Sequence, residues 1–311
     1  MKRFLLIALC LVATLSNALP NEPFNPGYAD FKVTVQGLDT NYKVLALSVM
    51  PNETLHIKPE VAVAVVVNGG LLKKTVGHNW DWKAPAKSGL YPISLSTTNG
   101  KRMTLNVFVL RPASDIKKGK LDGYRIGVYP DKPFKGLPTY REPKGYIEVN
   151  ATNKTTFVSP HFTLEQFLCK LPAVNGKKFI VLQTPLLLKL EKILSTVNAR
   201  GFRTDSFFVM SGYRTPFYNR SIRSSRNSRH IYGGAADIYI DTNPQDGRMD
   251  DLNNDAKINR KDAAILYDLI EQLSQQQGWI VGGLGEYEAN HAHGPFVHVD
   301  ARGYRARWGK P

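Results

Sequence analysis

Two short β-branched runs near the C-terminus constrain this chain more than anything else in it. The first is Ala235-Ala236-Asp237-Ile238-Tyr239-Ile240; the second is Phe296-Val297-His298-Val299-Asp300. Both read as strands. Alternation along the second puts Phe296, His298 and Asp300 on one face. Ahead of the first run stands Ser228-Arg229-His230-Ile231-Tyr232-Gly233-Gly234, whose two glycines permit a tight backbone path. A loop histidine, a strand aspartate and a histidine from a neighbouring strand can then converge on one point.

Two imidazoles and one carboxylate, with water in the fourth place, are the donor set of a catalytic zinc site. A structural zinc site closes its shell with four protein ligands, commonly Cys, and this region has none. His230, Asp237 and His298 are therefore the expected zinc ligands. A lone His-to-Asp spacing arises often by chance. The full string S-x-H-x-x-G-x-A-x-D, followed downstream by H-x-D, is far more specific.

Together with Ser211-Gly212-Tyr213-Arg214-Thr215-Pro216, these segments resemble the zinc D,D-peptidases of bacterial cell walls. That group includes D-Ala-D-Ala carboxypeptidases and murein endopeptidases. The resemblance runs from near residue 156 to the end. The stretch from Gly283-Leu284-Gly285 to Arg307-Trp308 is most similar to the murein endopeptidase branch. It implies an α+β hedgehog/D,D-peptidase fold, zinc on His230, Asp237 and His298, and substrate binding by Arg214. It further implies attack of zinc-bound water on an amide in a peptidoglycan cross-link.

The resemblance leaves the general base open. Relatives carry an acid three residues before the last zinc histidine, or a histidine two before it. Here those positions hold Pro295 and Phe296. His293 matches a histidine of some relatives and is the expected catalytic partner of Arg214. Glu286, Glu288, His291 and Asp300 are the fallbacks, Asp300 more as the group that orients His298. His291 and His293 also fit as plain exposed loop residues. Three alternatives to an endopeptidase stay open: a D-Ala-D-Ala carboxypeptidase, a non-catalytic protein that binds cell-wall peptides, and a calcium-stabilised adhesin whose working part is an N-terminal β-sandwich.

The chain has 311 residues, 42% of them hydrophobic, enough for two domains with cores of their own. Its formal charge of +15 favours a polyanionic partner. No RNP-type motif or zinc finger is present, so an anionic cell-envelope polymer is expected rather than nucleic acid. Met1-Lys2-Arg3, an apolar Phe4–Leu15 and Ser16-Asn17-Ala18 read as a signal peptide over residues 1–18. A periplasmic or secreted location follows, with no transmembrane segment after its removal. Only Cys169 then remains, in a short helix expected over Thr163–Cys169, as a buried structural thiol.

Residues 19–112 carry many short alternating runs, and the expectation is an immunoglobulin-like β-sandwich without its cysteine pair. Val61–Val67 reads as a buried strand, and Trp80 and Trp82 as core. Residues 113–155 are basic and Pro/Gly-rich, a linker or collar. The zinc peptidase domain covers 156–311. In it, Thr184-Pro185 opens a helix with Thr184 as N-cap and an apolar face of Leu187, Leu190, Ile193, Leu194 and Val197.

An acidic insert spans residues 241–262. Within it Asp251, Asn253, Asp255, Lys257, Asn259 and Asp262 occupy positions 1, 3, 5, 7, 9 and 12 of a calcium loop. The pattern resembles dockerin-type loops, with Ala256 where glycine is expected. A helix should follow over Lys261–Gln277. The competing reading is a solvated acidic turn with helix-capping carboxylates.

Overall fold

The computed structural model describes residues 22–309, so the expected signal peptide lies outside the described residues. Nine strands come first: β1 (Tyr28–Val35), β2 (Leu38–Tyr42), β3 (Val44–Val49), β4 (Thr54–Pro59), β5 (Ala64–Val67), β6 (Leu71–Lys74), β7 (Trp80–Lys83), β8 (Gly89–Ser96) and β9 (Arg102–Val109). They form two sheets, ordered β2-β1-β4-β7-β6 and β3-β9-β8-β5. Period-two alternation does what it should: Phe31, Val33 and Val35 of β1 and Leu55 and Ile57 of β4 are buried, with polar residues between them. The two sheets meet where Trp82, fully buried, packs against Tyr91 with ring centroids 6.3 Å apart. Trp82 Nε1 donates to Gly69 O, so its one polar atom is satisfied inside the core. Trp80 is only half-buried, with Lys74 over its ring.

Val61–Val67 is not a buried strand. Only Ala64–Val67 is extended, and it pairs with β8 alone at the edge of its sheet. An edge strand buries one face at most, and Val66 is 67% exposed. The Asn68-Gly69-Gly70 turn carries the chain from one sheet to the other rather than closing a hairpin.

The 113–155 stretch is packed rather than a loose connector. Flanking and crossing it are β10 (Arg111–Pro112), β11 (Lys120–Leu121), β12 (Tyr124–Arg125) and β13 (Gly145–Val149). Six of its apolar residues, Leu121, Tyr124, Ile126, Tyr129, Tyr140 and Tyr146, are buried. Its lysines point outward, which is why composition alone reads as linker.

Next come β14 (Phe157–Ser159), β15 (Phe162–Thr163) and β16 (Lys178–Ile180), the last joining β10 and β13 in one sheet. Cys169 is buried, but only Leu164–Phe167 of the expected helix forms a turn, and a 3-10 one. Helix α1 (Thr184–Ala199) buries all five expected apolar residues. Its N-cap is Gln183, not Thr184, because the Thr184 hydroxyl donates instead to Ala46 O of β3, 2.9 Å away. That bond ties the helix to the N-terminal sheets.

The remaining elements are β17 (Phe208–Ser211), α2 (Pro216–Ser221), β18 (Ala235–Tyr239), α3 (Arg260–Leu273), β19 (Gly283–Tyr287), β20 (Phe296–Asp300) and β21 (Ala306–Trp308). The strands form one sheet, β17-β18-β20-β19-β21. Helix α3 stops short of Gln277 and packs on β19 and β20, with α1 against it. The whole is a mixed α+β architecture. No described helix is long and apolar enough to cross a membrane.

Candidate metal centre

The functional side chains gather on one face of the five-stranded sheet. Residues opposite one another in an antiparallel pair project to the same side. Asp237 lies opposite His298 and Ala235 opposite Asp300; Gly285 also lies opposite His298, and Tyr287 opposite Phe296. The other face carries Ala236, Ile238, Leu284, Val297 and Val299, all buried on the side where α3 packs.

His230 arrives from a different element, the 3-10 turn Arg229–Tyr232. Gly233 ends that turn with φ at 65°, and a Cβ there would sit 2.2 Å from Val181 O. Only glycine meets both demands. Gly212 is a second position with no room for a side chain: a Cβ would lie 2.6 Å from Phe167 Cα. This close approach places Gly212 O to accept from His230 Nδ1 at 2.6 Å.

Three atoms converge. His230 Nε2 stands 3.2 Å from Asp237 Oδ1 and 3.2 Å from His298 Nδ1, and the last two are 2.8 Å apart. All three side chains are buried. A tetrahedral zinc with ligands at about 2.0–2.1 Å has donor edges of about 3.3 Å, so the triangle is close to the right size. The outer nitrogens are also committed. His298 Nε2 faces Asp300 Oδ2 at 3.1 Å, and Asp300 is held in turn by Arg302 and by Gly283 N. Each imidazole thus turns a lone pair inward, as ligating histidines do. Among the described residues this is the one group of three or more His, Cys, Asp or Glu whose donor atoms already lie within 4.8 Å of one another. The donor set and its outer partners fit an ion.

The electrostatics of the metal-free cluster agree. Burial drives the His230 imidazole down to about 4, so it is neutral at pH 7. Burial also opposes charge on Asp237 and on His298. For Asp237 the two histidines override it and hold the carboxyl well below the usual carboxylate range. For His298 the bonds with Asp237 and Asp300 override it and raise the imidazole.

Arg214 lies just past β17. Its Nε donates to Ser211 Oγ at 2.8 Å and its Nη2 to Asp237 Oδ2 at 2.5 Å. It lines the cleft above the triangle, together with Tyr287, His293, Phe296 and Trp308. That cleft encloses 1560 Å³.

The other candidates fall elsewhere. His293 lines the cleft, but its Nε2 pairs with the Asn290 amide and its Nδ1 with Gly294 O. No hydrogen bond joins it to the three converging residues among those described. Glu286 is corrected as a base: it lies opposite Val297, on the α3 side of the sheet, paired with Arg260. Glu288 and His291 are exposed.

In the acidic insert the side-chain oxygens are turned onto backbone amides. Asp251 accepts from Asp255 N and Ala256 N, Asn253 from Asp255 N, and Asp255 from Lys257 N. Asn259 caps α3, and the fully buried Asp262 accepts from Leu252 N and Asn259 N. Ala256 takes a left-handed φ of 61°.

Sequence reasoning missed the Gly212 carbonyl, Arg302 behind Asp300, and the pair Tyr287 and Trp308. Alternation from His298 through its register partner Gly285 would have found Tyr287, had the strand pairing been known.

A buried His/Asp/His triangle lies beneath a cleft, and its donor set is one that could hold a metal ion. Residues 160–260 match a family model described as Peptidase M15, which supports a peptidase. The matched segment holds Arg214, His230 and Asp237 and ends before His298. No curated protein matches the chain.

Proposed function

We propose that this chain is a zinc-dependent peptidoglycan hydrolase that cuts peptide cross-links as a murein endopeptidase. The observation that carries the reading is where the triangle sits. The cleft above it, at 1560 Å³, exceeds the ~300–1,000 Å³ of pockets built for small ligands. It is lined by Phe208 of β17, at one sheet edge, and by Trp308 of β21, at the other, with Asp237 and His298 on strands between them. An extended chain therefore has room on both sides of a scissile bond. A carboxypeptidase needs one of those sides closed.

Bound zinc would supply Lewis acidity and bring the pKa of water to about 7. The rest is the work of the chain. Gly212 O and Asp300 aim the two imidazoles, and Arg214 anchors Asp237. From the same position Arg214 can receive a carbonyl or carboxylate oxygen of the peptide. His293 is the candidate to carry a proton once substrate replaces Asn290 as its partner.

The reading extends to the rest of the molecule. Residues 19–112 act as an immunoglobulin-like sandwich and 113–155 as the element that joins it to a catalytic domain over 156–311. The 251–262 loop is a structural calcium site, closed when the ion draws its carboxylates off the backbone amides. Residues 1–18 direct export to the periplasm or beyond, where the +15 charge favours anionic envelope polymer.

Digestion of purified peptidoglycan with the zinc-loaded protein, followed by mass spectrometry, tests the activity. Cross-linked dimers should fall to monomers. Loss of terminal D-Ala with dimers intact would replace the endopeptidase by a carboxypeptidase.

A further inference from the structure

On the cleft face, one register step from His298, stands a group that the mechanism has not used. Tyr287 lies opposite Phe296 and stacks on it, with centroids 4.4 Å apart and rings 9° from parallel. Trp308 lies beside Gly285, where any Cβ would be 2.2 Å from the indole nitrogen. Its ring therefore rests directly on backbone, 5.1 Å from the His298 ring. From there Trp308 Nε1 donates to the Tyr287 hydroxyl at 2.9 Å. Arg302 stacks over Trp308 at 5.0 Å while its other bonds hold Asp300 behind His298. One arginine thus steadies both a metal-ligand candidate and the indole that fixes Tyr287.

The direction of these bonds matters. An indole N–H can only donate. It fills a lone pair on the phenol oxygen and leaves the phenol O–H free to donate elsewhere. Accepting one bond also strengthens the one given. Burial raises the Tyr287 phenol above its ordinary value against the opposing bond from Trp308, and a tyrosine keeps its proton at neutral pH even at that ordinary value.

We propose that Tyr287 is a catalytic hydrogen-bond donor, its O–H binding the oxygen of the scissile carbonyl as negative charge develops there, and that Trp308 is the residue that positions it. The inference rests on the hydrolase reading above. It supplies an oxyanion donor beside the triangle in a chain that has Pro295 and Phe296 where proton-handling residues are expected.

Tyr287→Phe keeps the stack on Phe296 and removes only the O–H. Its kcat should fall about 10²-fold with KM nearly constant, since one oxyanion donor contributes about 10²–10³. Zinc content and melting temperature should match the wild type. Trp308→Phe should lose less, and the double variant should be no slower than Tyr287→Phe alone. A second readout is calorimetric affinity for a phosphinate analogue of a D-alanyl peptide, which mimics the tetrahedral centre; Tyr287→Phe should weaken it at least tenfold. A Tyr287→Phe enzyme with unchanged kcat, or with wild-type phosphinate affinity, overturns the proposal. Multiplicative losses in the double variant overturn the role of Trp308. Should the wild type cut no peptidoglycan, the hydrolase reading falls by itself, and the phosphinate comparison still decides Tyr287.

Discussion

Nε2 of His230 and Nδ1 of His298 face each other at 3.2 Å, and the far nitrogen of each ring already has an oxygen partner, Gly212 O and Asp300 Oδ2. Two inward lone pairs beside the Asp237 carboxylate demand a positive charge between them. One zinc per chain is therefore expected by elemental analysis. Zinc at a hundredfold excess over its Kd should add about 2.7 kcal/mol of stability, seen as a rise in Tm over the chelated protein. His230→Ala should lose both the metal and hydrolysis. A mutant that still binds stoichiometric zinc would remove these residues as its ligands.

Asp300→Asn tests the outer support. The carboxylate takes a bond from His298 Nε2 and is itself held by Arg302 and Gly283 N. An amide in its place cannot hold both the histidine and the arginine. Zinc affinity should drop about 10–100-fold, the usual effect of losing such a partner. Competition with a chromophoric chelator measures it.

Gly212→Ala should harm the site without touching a ligand. The new Cβ would meet Phe167 Cα at 2.6 Å and Phe167 O at 2.9 Å. Overpacking of this kind costs about 1–3 kcal/mol. It would also shift the carbonyl that orients His230. Urea unfolding should show the loss, and zinc titration should show weaker binding. Unchanged values in both would mean that the Phe167 backbone yields freely.

Lys189 gives a pH dependence. It is 2% exposed, its Nζ bonded to Asp300 O at 2.6 Å and lying 4.6 Å from the centre of the Trp279 ring. Burial, opposed by Asp300 and helped by Arg307 and Arg302, pushes its pKa down to about 7. In the unfolded chain it is near 10.4. Between those values the unfolded state binds the extra proton, so stability rises with pH from about 7 to about 10 and is flat below. The slope for this one group approaches about 1.4 kcal/mol per pH unit. Lys189→Met should flatten it. Denaturant midpoints at pH 6, 8 and 9.5 decide; equal slopes for both proteins would rule Lys189 out as the source.

Calcium is expected to stabilise the 251–262 loop. Melting temperature should rise with added Ca²⁺ and return on chelation at constant zinc. Asp251→Ala should abolish the difference. A wild-type protein indifferent to calcium would leave those carboxylates as amide caps only.

Much of the candidate site was readable as chemistry and little of it as geometry. Alternation in Phe296-Val297-His298-Val299-Asp300 put the right three residues on one face, and Gly233 marked the turn that delivers His230. Glu286 stood among the possible bases because nothing in its composition separates it from Tyr287 beside it. Strand pairing separates them: one residue's difference in register sends one side chain to the cleft and the other towards α3. The collar misled for a similar reason. Its lysines and prolines dominate its composition, while its buried tyrosines, widely spaced, show no period.

Local order along the chain was enough to specify which atoms can bind a metal, which runs form strands and where α1 buries its leucines, because side-chain chemistry and backbone periodicity are properties of neighbouring residues. Folding alone decided that His230 and His298, 68 positions apart, share one point. It also decided that Trp308 sits on Gly285, and that Asp300 and Arg302 stand behind the ligands. Such contacts depend on how strands pair and faces pack, a long-range choice that no short stretch of sequence contains.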